Sequence, residues 1–254
     1  MEKNKINSTL FLGDALERLK EIPDNSVDLI VTDPPYLIKN TTAGGKSKLA
    51  QSIQGMNDEI KEEGLTEGYN NQILEEMLRV MKKINLYIWC NAAQIPAYLK
   101  YFVEDHGCSF DIIVWHKTNA TPLFNNKYCT DKEYCLYFRK GGYCNPESYQ
   151  DAQTVYNQPI NIKDKKIYGH PTIKPLNIIS ALIRNSSKKG DTVCDPFMGS
   201  GTTGVAAKIE GRNFIGVELQ KKYFDIAHKR IEETQPNEEV QRFNMEDQMT
   251  FFDF

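Results

Sequence analysis

Apolar residues recur along this chain in two alternating patterns. Compact apolar runs at 8–12, 27–32, 86–90, 111–116, 133–138, 191–195 and 213–217 have the length and makeup of buried strands. Between them lie stretches whose apolar positions fall three and four apart, at 14–21, 70–82, 93–105, 174–187, 202–210 and 221–233. In 70–82, for example, Ile73, Leu74, Met77, Leu78 and Met81 mark one buried helical face. Strand and helix alternating in this way predict an α/β fold around a mostly parallel, twisted sheet.

Two stretches carry neither period. Residues 39–69 include the polar, breaker-rich Thr41-Thr42-Ala43-Gly44-Gly45-Lys46-Ser47-Lys48, and 139–170 are rich in Gly, Tyr, Asn and Lys. Loops of this length in a compact domain are usually functional or disordered, so 39–69 is read as a mobile loop. The expected organisation is one domain over 1–234 and an acidic tail over 235–254.

Composition narrows the class. A chain of 254 residues can bury a full core, and 40% apolar with 26% charged residues is ordinary for a soluble protein. Apolar runs stay short of the ~18 residues of a membrane span, and Met1-Glu2-Lys3-Asn4-Lys5 leads into no long apolar stretch. A cytoplasmic protein without membrane attachment is expected. The six cysteines (90, 108, 129, 135, 144, 194) show no C-x-x-C spacing, so neither disulfides nor a metal site is expected. The net charge of −3 is unevenly spread: 231–254 hold seven acids and one Arg, which leaves +3 for the rest. Lys163, Lys165, Lys166, Lys174, Arg184, Lys188 and Lys189 crowd 160–190 against Asp164. That surface suits phosphates, although ordinary solvated lysines explain it equally well.

Two motifs carry the chemistry. The first is Asp195-Pro196-Phe197-Met198-Gly199-Ser200-Gly201-Thr202-Thr203-Gly204, a strand end, a glycine loop and a helix start. Glycines let the backbone approach a ligand closely, and the loop amides offer donors. The next strand ends at Glu218, placed to accept the two hydroxyls of a ribose. A ribose-bearing cofactor follows; a nicotinamide remains open, although little chain is left after Glu218 for a substrate region. A P-loop is excluded, since no Gly-Lys-Ser/Thr follows the glycines. A Rossmann half needs a third strand after helix 221–233, and the N-terminal Ser8–Leu12 supplies it. The chain therefore reads as a circular permutation, with Asp14 and Ala15 beside Glu218 and Asp14 suited to an adenine amino group.

The second motif is Asp33-Pro34-Pro35-Tyr36, directly after strand 27–32. An exocyclic aromatic amine becomes nucleophilic when two acceptors hold its hydrogens and favour a tetrahedral nitrogen. Asp33 supplies one and the Pro34 carbonyl the other, while Tyr36 offers a face on which an extruded base stacks. A rigid turn closing a strand is the competing reading of the tetrapeptide alone.

With His170-Pro171-Thr172-Ile173-Lys174-Pro175 and Gly216-Val217-Glu218, these motifs resemble the amino-group DNA methyltransferases, which use S-adenosylmethionine. Their order resembles the β group, the likeness spans 8–231, and it implies a circularly permuted Rossmann-like methyltransferase fold whose mostly parallel sheet has one antiparallel strand. It implies that Asp33, Pro34, Pro35 and Tyr36 are catalytic. It implies cofactor contacts from Asp14, Ala15, Asp33, His170, Thr172, Lys174, Asp195, Phe197, Gly199, Ser200, Gly201, Thr202, Thr203 and Glu218, with Lys174 near the cofactor carboxylate. Double-stranded DNA is the implied partner. Target recognition is expected over 139–169, and loop 39–55 is expected to close on DNA. Asp in the first motif position goes with adenine N6, Ser more often with cytosine N4. No Pro-Cys dipeptide occurs, which disfavours the cytosine carbon methylases. The family often dimerises, so a homodimer is compatible, and association with the nucleoid would accompany DNA binding. Gln248-Met249-Thr250-Phe251-Phe252 resembles the peptide that binds the bacterial sliding clamp; a tail packed on its own domain is the competing reading.

Overall fold

The computed structural model describes residues 6–36, 54, 58, 61, 68–120, 128–160, 167–168 and 173–235. Its strands are β1 Ser8–Leu12, β2 Leu29–Thr32, β3 Ile84–Cys90, β4 Ser109–Lys117, β5 Lys132–Lys140, β6 Val155–Gln158, β7 Thr192–Asp195 and β8 Asn213–Glu218. They form one sheet in the order β1-β8-β7-β2-β3-β5-β4-β6. β5 runs antiparallel to both neighbours and every other pairing is parallel. The permutation is present: β1 registers beside β8, from Ser8 opposite Phe214 to Leu12 opposite Glu218.

Both faces of the sheet are covered, which explains why its strands are apolar at successive positions rather than alternate ones. Helices α1 (Ala15–Leu19), α2 (Gln72–Val80) and α3 (Ile95–Tyr98) pack with Ile30, Leu86, Ile88, Leu136 and Cys194. Helices α4 (Leu176–Ser186), α5 (Thr202–Ile209) and α6 (Lys221–Glu233) pack with Leu29, Val31, Trp89, Val193 and Phe214. The period-two alternation of β2, with Ile30 on one core and Leu29 and Val31 on the other, divides the two layers.

Three local features depart from the expected elements. The helix expected over 93–105 is α-helical only at Ile95–Tyr98 and continues as a π-helical stretch, Leu99–Asp105. It starts late because Pro96 occupies the first turn, where a missing N–H costs nothing. β6 lies within the stretch read as aperiodic; its four residues have no apolar pattern, and pairing with β4 defines it. Helix α4 begins at Leu176 because Pro175 stands at its N-cap and disfavours a helical residue before it, leaving Lys174 outside the helix. Among the described residues no helix is long and apolar enough to cross a membrane. Most of loop 39–69, His170, Thr172, Lys163, Lys165, Lys166 and the tail from 236 lie outside the described residues.

Candidate active site

At the carboxyl ends of the parallel strands lies a cavity of about 550 Å³. It opens where successive crossovers leave for opposite faces of the sheet, the usual binding crevice of such folds. Asp33 follows β2 and Asp195 ends adjacent β7, so both motifs reach one edge. Thr32 Oγ1 donates to Asp195 Oδ1 at 2.7 Å and links them.

Both oxygens of Asp33 are engaged. Its Oδ1 accepts the Tyr36 hydroxyl at 2.9 Å, and its Oδ2 takes the Lys174 ammonium. Lys174 also pairs with Glu133 Oε2 at 3.1 Å, and Glu133 Oε1 pairs with Lys117 Nζ at 2.6 Å. The result is a chain of groups, Tyr36–Asp33–Lys174–Glu133–Lys117. Burial raises the Asp33 carboxyl above its ordinary value, partly offset by Lys174. Burial, reinforced by Asp33 and Glu133, pushes the Tyr36 phenol well up, so it stays a neutral donor. Burial pushes Glu133 up as well, but the Lys174 and Lys117 ammoniums outweigh it and hold the carboxyl at about 2. For Lys174, burial favours the neutral amine, but Asp33 and Glu133 prevail and raise its pKa. The ammonium lies 5.2 Å from the Trp89 ring centroid and 5.7 Å from that of Tyr36.

At the other end, Asp14 caps α1 by accepting Glu17 N at 3.2 Å, and Glu218 ends β8 beside it. Gly13 N donates to Glu218 O at 2.9 Å, which ties the two strand ends together. The glycine loop is held by its own surroundings: Gly199 N donates to Glu218 Oε2 at 2.9 Å, Met198 N to Val217 O at 2.9 Å, and Phe197 N to Asp195 Oδ1 at 3.0 Å. Arg230 of α6 donates to Ser200 O at 2.5 Å, with its guanidinium carbon 3.9 Å from the Tyr168 ring centroid.

The DNA methylase family, which comprises N6 and N4 amino-group enzymes, has a profile that matches residues 27–229. The chain belongs to the DNA methylase family. It is 32% identical over 269 residues to the Type II methyltransferase M.HinfI of Haemophilus influenzae, covering 93% of this chain and 72% of that one. With the Type II methyltransferase M2.LlaDCHI of Lactococcus lactis subsp. cremoris it shares 33% identity over 246 residues, 89% of this chain and 90% of the other. Among solved structures, M1.HpyAVI in complex with SAM superimposes with a TM-score of 0.64 at 27% identity, covering 88% of this chain and 98% of that one.

In this DNA methylase most of the residues expected from the sequence do come together. Asp14, Ala15, Asp33, Pro34, Pro35, Tyr36, Lys174, Asp195, Phe197, Gly199, Ser200, Thr202, Thr203 and Glu218 all line the one cavity. Gly201 does not; it adopts a left-handed φ of 84° where a Cβ would come within 2.8 Å of Ala227 Cβ, so it sets the loop's turn and its packing on α6. Lys174, expected near the cofactor carboxylate, lines the cavity with its ammonium on Asp33 and Glu133. Sequence reasoning missed Glu133, Trp89 and Tyr69, which also line the cavity. The one signal for Glu133 was a charge at the start of an apolar run. Its meaning needed the antiparallel direction of β5, which brings that strand's beginning to the edge where β2 and β7 end.

Proposed function

We propose that this DNA methylase is a site-specific adenine N6-methyltransferase that draws its methyl group from S-adenosylmethionine. The observation that carries the reading is the single cavity joining Asp14 and Glu218 at one end to Asp33–Tyr36 at the other. Its volume lies within the range of cofactor sites. Its chemistry fits the cofactor: two carboxylates at neighbouring strand ends suit adenosine hydroxyl and amino groups, and Leu219, 67% exposed beside them, offers an apolar face for a purine. When bound, the cofactor supplies an electrophilic methyl group on a sulfonium.

The chain's own residues then do three things. Asp14, Glu218 and the glycine loop hold the adenosine end. Phe197, packed on Tyr69 with ring centroids 5.6 Å apart, closes one wall and excludes water. Asp33 accepts a hydrogen of the target amine, so that the nitrogen lone pair is directed along the line of attack at about 3–3.5 Å. A duplex base reaches this depth only when extruded from the helix. Asp33 in the first motif position favours adenine, and the Type II methyltransferase names of the relatives support action at a defined site. Target recognition is placed over 139–169 and the catalytic domain over 1–234, with 235–254 as an acidic tail. Association with the nucleoid, a homodimer and a sliding-clamp contact through Gln248–Phe252 rest on the sequence alone. Clamp binding unchanged on deleting 248–254 would dispose of that contact.

The test is single-nucleotide mapping of modified bases in DNA from cells expressing this chain or its Asp33→Ala variant. N6-methyladenine at one motif, absent with the variant, is expected. N4-methylcytosine would keep the mechanism and overturn the base, and unmodified DNA would overturn the reading.

A further inference from the structure

We propose that Glu133 is a positioning residue that takes over the Lys174 ammonium when the target amine claims Asp33; this rests on the amino-methyltransferase reading above. Both oxygens of Asp33 already accept protein donors, Tyr36 at Oδ1 and Lys174 at Oδ2. Each oxygen keeps a second lone pair, but an incoming amine shares the one negative charge of Asp33 and so weakens its hold on the Lys174 ammonium. Lys174 is 7% exposed, and a buried ammonium left without a carboxylate is strongly disfavoured. A second carboxylate is already in place, with Glu133 Oε2 3.1 Å from Nζ. Three N–H donors let one ammonium shift its weight between two acceptors without leaving either far behind.

The surroundings suit such a transfer. Glu133 is anchored from its far side by Lys117, whose own Nζ lies 5.2 Å from the Trp115 ring centroid, so the acceptor stays fixed while the lysine moves. The Trp89 and Tyr36 rings flank Lys174 and favour a cation in either position. Two carboxylates and two ammoniums balance, so the exchange changes no net charge. With Lys174 and Lys117 holding its carboxyl at about 2, Glu133 is an anion throughout the working pH range.

The test compares Glu133→Gln in the parent and in a Lys174→Gln background, on a duplex carrying the mapped site. One readout is the single-turnover methylation rate. The other needs no cofactor: the ratio of affinities for that duplex with adenine or with purine, which lacks the amino group, at the target. We expect E133Q to lose about tenfold or more in rate and about fivefold or more in adenine preference when Lys174 is present, and to change the adenine preference less than about twofold when it is not. E133Q matching the parent, or an equal loss in both backgrounds as a role in folding alone would give, overturns the proposal. If E133Q does not fold, Glu133→Asp replaces it, with a loss of about threefold expected again only with Lys174 present; an equal loss in both backgrounds, or none in either, overturns the proposal. A parent that leaves its DNA unmodified overturns the functional reading and this proposal with it. A parent that methylates while E133Q keeps its rate overturns this proposal alone.

Discussion

Asp195→Asn should stabilise the protein at alkaline pH and have little effect in acid. Asp195 is 3% exposed at the end of β7, where Oδ1 accepts Thr32 Oγ1 at 2.7 Å and Phe197 N at 3.0 Å. Burial outweighs those bonds and pushes its carboxyl from the ordinary 3.8 up to about 6. A carboxyl raised on folding favours the fold while it is protonated. That contribution is complete below the unfolded value and is lost as pH rises through about 6. Above that pH the folded state carries a cost of about 3 kcal/mol relative to a neutral group. Asparagine keeps the Oδ1 acceptor and never ionises, so D195N should gain up to that amount at about pH 8, about a third of it at about pH 4.5 and almost nothing at about pH 3. In a domain of this size the gain corresponds to a rise in Tm of about 6–12 °C. Calorimetric melts of parent and variant across that pH range measure it. A Tm difference that is the same at both ends, or a loss at alkaline pH, would refute the electrostatic account of this carboxylate.

Other expectations follow from packing and charge. Gly204→Ala would place a Cβ 2.4 Å from Ile231 Cδ1 and 2.7 Å from Phe214 Cε1. The isoleucine tip can turn but the buried ring cannot, so overpacking of about 1–3 kcal/mol should outweigh the ~1 kcal/mol helix gain and lower Tm; an unchanged melt would mean that α5 and α6 can spread. Glu210, 4% exposed, bonds Arg184 at 2.9 Å and lies 4.0 Å from Arg212, so Glu210→Ala should cost about 3–5 kcal/mol in denaturant titrations. Because a protonated Asp33 loses its negative charge and is a much weaker acceptor for the target amine, the single-turnover rate should fall on the acid side, with an inflection above 3.8; a pH–rate profile flat through that region would remove Asp33 from the step.

The sequence made most of the sheet legible because a strand buried on both faces leaves an apolar run that few other structures produce. β2, read at 27–32, is buried throughout and occupies Leu29–Thr32, and β3, read at 86–90, extends only two residues further toward its start. The motifs were legible as a site because both follow strands that end at the same edge. β6 was not, since pairing with β4 rather than burial defines it. Neither was the link from Lys174 to Glu133. Residues far apart in sequence share that cavity only because β5 runs against its neighbours, and strand direction leaves no mark in an apolar pattern.

The permutation has a consequence for synthesis of the chain. Asn7 N donates to Asn213 Oδ1 across 206 residues, and β1 has its partner only once β8 exists. At about 5–20 residues per second, the first strand waits roughly 10–40 s on the ribosome for its neighbour. Throughout that wait its backbone donors and acceptors remain an open edge. Asp14 waits equally long for Glu218, the other carboxylate of the proposed adenosine end of the cavity. A complete cavity is therefore acquired only after β8 is made, and a product cut short before β8 would present the Asp33 motif without the Glu218 side of the cavity opposite it.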